Sequence, residues 1–202
     1  MKNHLQFNWW KYLIIMILPI IVWCGIFDAL AAPKPNEKVS ILFIGEALDS
    51  QKLQQELWQV LPQRTEQPLR EITVETALPR EAAYQGQLTA WSLQYDIIII
   101  QNDYMRQYLG QSIFVRLTQE MLRQFPAVIP YEEIIEDGTS LPFGLTLFDG
   151  TQQNRFAGCY ADNQACYLFI SPYSVNFNTL NETGKAGDDG ALQAVLYLLE
   201  MT

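Results

Sequence analysis

Little in this chain can do acid-base or nucleophilic chemistry. It has 22 acidic side chains but a single histidine, His4, and three cysteines, Cys24, Cys159 and Cys166. His4 precedes an apolar segment, so no imidazole is left for the remainder of the chain. Ser171 and Ser174 therefore lack a histidine base, and no Gly-x-Ser-x-Gly elbow is present. Two thiols without histidine support make an incomplete zinc site. "NETGK" lacks both the leading glycine and the Ser/Thr after Lys185 that a phosphate loop needs. "GDDG" lacks alternating oxygen ligands for calcium, and Asp188 and Asp189 read instead as caps of the last helix. Glu132, Glu133, Glu136 and Asp137 in "YEEIIEDG" read as a solvated helical or loop face. These observations point to a protein that is not an enzyme and needs no metal or cofactor.

Charge excludes a second class. The formal net charge is −9, with no cluster of Lys and Arg to neutralise phosphates. Residues 1–32 hold Lys2, Lys11 and Asp28, so the remainder carries 13 − 2 = 11 basic and 22 − 1 = 21 acidic side chains. An acidic body behind a weakly basic apolar N-terminus suggests a membrane-linked extracytoplasmic protein.

Residues 1–32 fit a membrane segment. The run from Tyr12 to Phe27 is uncharged, and reaches Ala32 if Asp28 lies at the interface; a span takes about 20 residues. Trp9, Trp10 and Tyr12 suit the headgroup level, with the positive flank cytoplasmic. Two readings remain open: a retained signal anchor, or a signal peptide cleaved after Ala29-Leu30-Ala31. The apolar run exceeds the ~7–15 residues of a secretory core, which favours the anchor. Trp23 before Cys24 rules out a lipoprotein site. The expected localisation is the cell membrane, single-pass, with the C-terminal domain outside.

Residues 33–38 then form a proline-marked linker, and 39–202 one domain. "KVSILFIG" reads as a strand. "LDSQKLQQELWQVLP" reads as a helix capped by Asp49 or Ser50, with Leu53, Leu57, Val60 and Leu61 on one face and Pro62 closing it. "REITVETAL" alternates as a strand, and "PREAAYQGQLTAWSLQ" as a helix with Ala83, Leu88 and Trp91 inward. Asp96 to Ile100 is a strand buried on both faces. The order implies an α/β fold, a mainly parallel sheet flanked by helices. The third strand ends at "QND", where such sheets open a crevice. Asp103 there either caps a short helix, "YMRQYL", ended by Gly110, or contacts a ligand. Tyr104, Tyr108, Phe143, Tyr160, Tyr167 and Tyr173 pack the core and hinge, or line a groove. Cys159 and Cys166 bracket "YADNQA", which reads as a hairpin closed by a disulfide in an oxidising compartment.

"LTAWSLQYDIIIIQNDYMRQYLGQSIFVRLTQEM", "DGTSLPFGLTLFD", "CYLFISPYSVN" and "GALQAVLYLLE" resemble pieces of the extracellular solute-binding proteins of bacterial ABC importers, which have two α/β lobes. Only about 20 residues separate Leu147 from Tyr167, where that family builds its second lobe; a domain takes roughly 50 or more. The resemblance therefore implies one lobe of a periplasmic-binding type. A membrane-anchored accessory of an importer or surface complex is the leading reading, with Asn102, Asp103, Tyr104, Phe143 and Tyr173 as its ligand or partner contacts. The alternative is a small-solute (sugar or peptide) binder acting as a dimer or with a partner. The anchor reading predicts Met1-containing material in membranes by mass spectrometry; a soluble species beginning at Ala32 would refute it.

Overall fold

A computed structural model describes residues 2–65, 68–106, 113–125, 128–135, 137–150, 156–177 and 189–201. The chain divides after Lys34 into units Met1–Lys34 and Pro35–Thr202. The first is one helix, α1 (Lys2–Ala31). Its stretch Trp9–Phe27 is long and apolar enough to cross a membrane, as would be that of a signal sequence near an N-terminus. The side chains of Trp9–Phe27 are exposed.

Among the described residues the second unit holds six strands: β1 (Lys38–Ile44), β2 (Glu71–Ala77), β3 (Ile97–Gln101), β4 (Pro130–Ile134), β5 (Ser140–Phe148) and β6 (Cys166–Ile170). They form one sheet in the order β2-β1-β3-β6-β5-β4. The α/β class holds, but the sheet is mixed rather than mainly parallel. β1 pairs in parallel with β2 and β3, whereas β6, β5 and β4 join antiparallel. Parallel neighbours need a crossover that returns the chain to the starting edge. Helices α2 (Ser50–Arg64) and α3 (Tyr84–Ser92) supply two. β4 and β5 instead meet through the tight turn around Gly138.

The uninterrupted apolar strands are explained by cover on both faces. Val39, Ile41, Phe43, Ile97 and Ile99 face the core built with Leu53, Leu57 and Leu61 of α2 and with α5 (Gly190–Glu200). Leu42, Ile44, Ile98 and Ile100 face Tyr84 and Leu88 of α3, with Ile113 and Phe114. Burying one such side chain contributes about 1.5–3 kcal/mol, so a polar residue inside either strand would disrupt the sheet. A short helix, α4 (Gln119–Leu122), is capped by Thr118.

Several local expectations shift. Asp49 caps α2, accepting from the Lys52 amide at 3.0 Å. Pro62 lies inside that helix, which closes only when the Thr65 amide reaches Leu61 O at 3.1 Å. In α3 the buried residues are Tyr84, Leu88 and Ser92, and Trp91 packs half-buried against the same cluster; Ala83 is exposed, because the turn Glu81–Ala83 is a 3-10 turn that rotates it outward. Asp189 occupies the cap position of α5 without a side-chain capping bond, its backbone carbonyl taking the Gln193 amide instead. Asp188 lies outside the described residues. Glu132 and Glu133 belong to β4, not a loop, and Glu133 is buried.

The foot of the sheet is tied by Asp96, only 6% exposed. Its Oδ2 accepts from the Ser40 amide at 2.9 Å and the Ser40 hydroxyl at 2.8 Å. Its Oδ1 accepts from the Ser174 hydroxyl at 2.5 Å and Asn176 Nδ2 at 3.1 Å. One carboxylate thereby joins β1, β3 and the segment leaving β6. Removing it would take an acceptor from four buried donors, of which Ser40 Oγ and Asn176 Nδ2 keep a second one in Gln94 O at 3.3 Å and Lys38 O at 2.8 Å; each donor left unpaired costs about 1–3 kcal/mol. Asp96→Ala is expected to destabilise the domain by about 3–5 kcal/mol in urea unfolding, with Asp96→Asn costing less; a loss under about 1 kcal/mol would show that the knot contributes little.

Candidate functional site

β1 connects to β2 on one side and β2 returns to β3 on the other, so the sheet reverses direction between β1 and β3. Loops diverge at the carboxyl ends of these two strands and leave a crevice, the usual ligand position in such sheets. Gly45 and Gln101 stand side by side there. Gly45 has φ +154°, and a Cβ on it would collide with the Gln101 amide oxygen. The close approach requires glycine. It lets Gln101 Oε1 accept the Glu46 amide at 2.8 Å. Ala47 next to it adopts φ +67°, a left-handed conformation that costs a non-glycine residue about 1–2 kcal/mol.

The chain fills this crevice itself. Gln101 Nε2 donates to Asp162 Oδ2 at 2.8 Å, and Gln164 Nε2 to Asp103 Oδ2 at 2.5 Å. The Asn102 amide donates to Ala165 O at 2.8 Å and the Ala161 amide to Ala47 O at 2.9 Å. Asp103 therefore binds Gln164 rather than capping a helix. The turn Asn102–Tyr104 is a 3-10 turn, and residues 107–110 of the expected short helix lie outside the described residues. Tyr108 does too.

The five residues expected to share a site are dispersed. Asn102, Asp103 and Tyr104 stand together at the carboxyl end of β3, with Asn102 and Asp103 exposed and the Tyr104 carbonyl accepting Tyr84 OH at 2.6 Å. Phe143 is buried within β5. Tyr173 is 60% exposed but lies at the opposite pole. It follows β6, and β6 runs against β3 with Ile170 beside Ile97. There it borders a cavity of about 230 Å3 shared with Leu93 and Val175, over the Asp96 knot. At the crevice pole, an open trough of about 480 Å3 runs along Gly45–Leu48 and Thr76–Leu78.

The expected disulfide is absent: Cys159 and Cys166 are free, buried thiols. They do not face each other across a hairpin. Cys159 follows the 3-10 turn Phe156–Gly158, while Cys166 opens β6 opposite Gln101. Tyr160 between them turns inward, packing its ring against Phe43, Phe148 and Phe156, and pairs with Leu48. The buried Tyr160 hydroxyl makes no hydrogen bond of ordinary geometry and interacts electrostatically with the Cys166 thiol.

Asp96, Ser40, Asn176, Asp162 and Gln164 are not singled out by the sequence as site residues, whereas Gln101 stands in the "QND" that ends the third strand. One signal was available: the four isoleucines Ile97–Ile100 are bracketed by Asp96 and Gln101, polar groups that must be buried and paired wherever such a strand is central. Their partners lie about 60 to 80 positions away, beyond the reach of spacing arguments. Among the described residues no group of three or more His, Cys, Asp and Glu side chains is disposed to hold a metal ion.

Burial pushes the Cys159 thiol up to about 11, with Glu56 adding to it, and the Cys166 thiol up to about 12. Both are protonated and unreactive at neutral pH. Thiol labelling of the unreduced chain should be slow when folded and quantitative at both positions once unfolded; protection of both after unfolding would restore the bridge. Because the folded values lie above the ordinary 9.0, the stability that these thiols contribute is full below about pH 9 and is lost as pH rises toward 11–12. Comparison with models of known families, with curated proteins and with solved structures finds no match to this chain.

Proposed function

We propose that this chain is a membrane-tethered, non-enzymatic module whose extracytoplasmic α/β domain recognises another protein, as an accessory of an importer or surface complex. The observation that carries this reading is the self-filled crevice. Where an α/β sheet ordinarily offers polar groups to a small solute, Gln101 and Asp103 are engaged by Asp162 and Gln164. A small-ligand pocket usually buries about 70–90% of its occupant, which the remaining open trough does not provide. A protein partner brings its own surface and needs only an accessible rim, such as Asn102, Asp103 and Tyr104.

The apolar helix supports the tether, and the strand-helix order of β1 to β3 supports the likeness to one lobe of a solute-binding protein. The antiparallel half of the sheet departs from the parallel arrangement that this likeness implies. A second reading is favoured by the trough beside Gly45–Leu48: a small solute held there by a dimer or a partner that supplies the other wall.

Two measurements separate them. A photocrosslinking residue at Asn102, with Gln63 on α2 as control, should give a discrete protein adduct in native membranes from Asn102 alone. Calorimetry of the purified chain against sugars, amino acids and short peptides should show binding no tighter than about millimolar, near −4 kcal/mol. A micromolar solute promotes the second reading. No adduct from Asn102 overturns the first.

A further inference from the structure

The segment that fills the crevice has two unequal parts. Its ends are anchored: Tyr160 is 2% exposed and Cys166 fully buried. Between them, Ala161–Ala165 belongs to neither apolar cluster. This tongue is held by polar bonds: Gln101 to Asp162, Gln164 to Asp103, the Ala161 amide to Ala47 O and the Asn102 amide to Ala165 O. Such bonds exchange readily with water, whereas apolar burial does not.

Unfavourable features gather at the same place. Gln164 must turn its Nε2 toward the Asp103 carboxylate, which leaves its Oε1 buried without a donor. The buried Tyr160 hydroxyl beside the tongue makes no hydrogen bond of ordinary geometry and meets the Cys166 thiol. The acceptor of the Ala161 amide is the carbonyl of Ala47, the only described non-glycine residue with positive φ. Local strain concentrated against well-anchored ends marks a segment with a second arrangement close in free energy.

We infer that Ala161–Ala165 is an autoinhibitory latch that opens as a unit, without unfolding the domain, and bares Gln101 and Asp103 at the crevice. The receiving side is preformed. Gln101 is 3% exposed and stays fixed by the Glu46 amide when Asp162 leaves. Opening replaces two side-chain and two backbone bonds with water while Tyr160 and Cys166 hold the tongue's ends. The inference rests on the fold alone, so its failure would leave the binding-module reading standing.

Amide hydrogen exchange on the full chain in detergent or nanodiscs tests it. The Ala161 and Asn102 amides should exchange together, at least about 100-fold faster than the central amides of β1 and β3. Asp162→Ala and Gln164→Ala should each accelerate both by about tenfold. The central strand amides and the Asp49 amide, which bonds Cys159 O on the anchored side, should be unchanged. Exchange of Ala161 and Asn102 at the rate of the core would overturn the latch. So would variants that leave the two amides unaffected, or that accelerate the core along with them.

Discussion

A buried carboxylate must be paired or it unfolds the protein around it, and Asp96 is paired entirely by neutral donors of its own chain. Ser40 of β1 gives an amide and a hydroxyl, Ser174 a hydroxyl, and Asn176 an amide nitrogen. Asn176 Nδ2 also reaches Lys38 O at 2.8 Å, and Ser171 spans from Ser92 at the end of α3. Three segments remote in sequence, around residues 38–40, 92–96 and 171–176, are thereby fixed at one pole. The parallel pairing of β1 with β3 and the antiparallel pairing of β3 with β6 share this one set of acceptors, at the end where Ile97 stands beside Ile41 and Ile170.

β3 carries this logic at both ends. Its four isoleucines supply apolar cover for two helical layers, and its flanks supply buried polar anchors. Asp96 ties the strand's start. Gln101 ties its finish, bridging the Glu46 amide to Asp162. At the abrupt change from Ile100 to Gln101 the strand passes from apolar cover to a buried amide paired with Glu46 and Asp162. There the sheet receives a segment from the far side of the chain. Glycine at 45 is part of the same arrangement, since any side chain there would displace Gln101.

The thiols follow from that segment's path. Tyr160 turns into an aromatic cluster, and the turn this requires leaves Cys159 facing α2, with Lys52 Nζ on the neighbouring Gly158 carbonyl at 2.6 Å. Cys166 is drawn into β6 beside Gln101. Two cysteines close in sequence form no bridge where their surroundings draw them apart. Burial is the main reason that both thiols stay protonated, with Glu56 adding to it at Cys159 and Asp162 at Cys166.

The sequence by itself determined what depends on neighbours in the chain. Apolar length marked α1, the uninterrupted Ile run marked β3, alternation marked β2, and Asp49 marked the start of α2; each of these is a local balance of burial and capping, and each is found in the structure. Tertiary structure decided what depends on return paths. β4 and β5 join antiparallel through the turn around Gly138, and β6 returns antiparallel between β5 and β3. Tyr173 went to the opposite pole from Asn102 for the same reason, since β6 runs against β3. The crevice was closed by Asp162 and Gln164, whose partners are chosen by hydrogen-bond geometry across 61 residues. No periodicity records such a pairing: the polar atoms at 101, 103, 162 and 164 become partners only when the folded backbone brings them within about 3 Å.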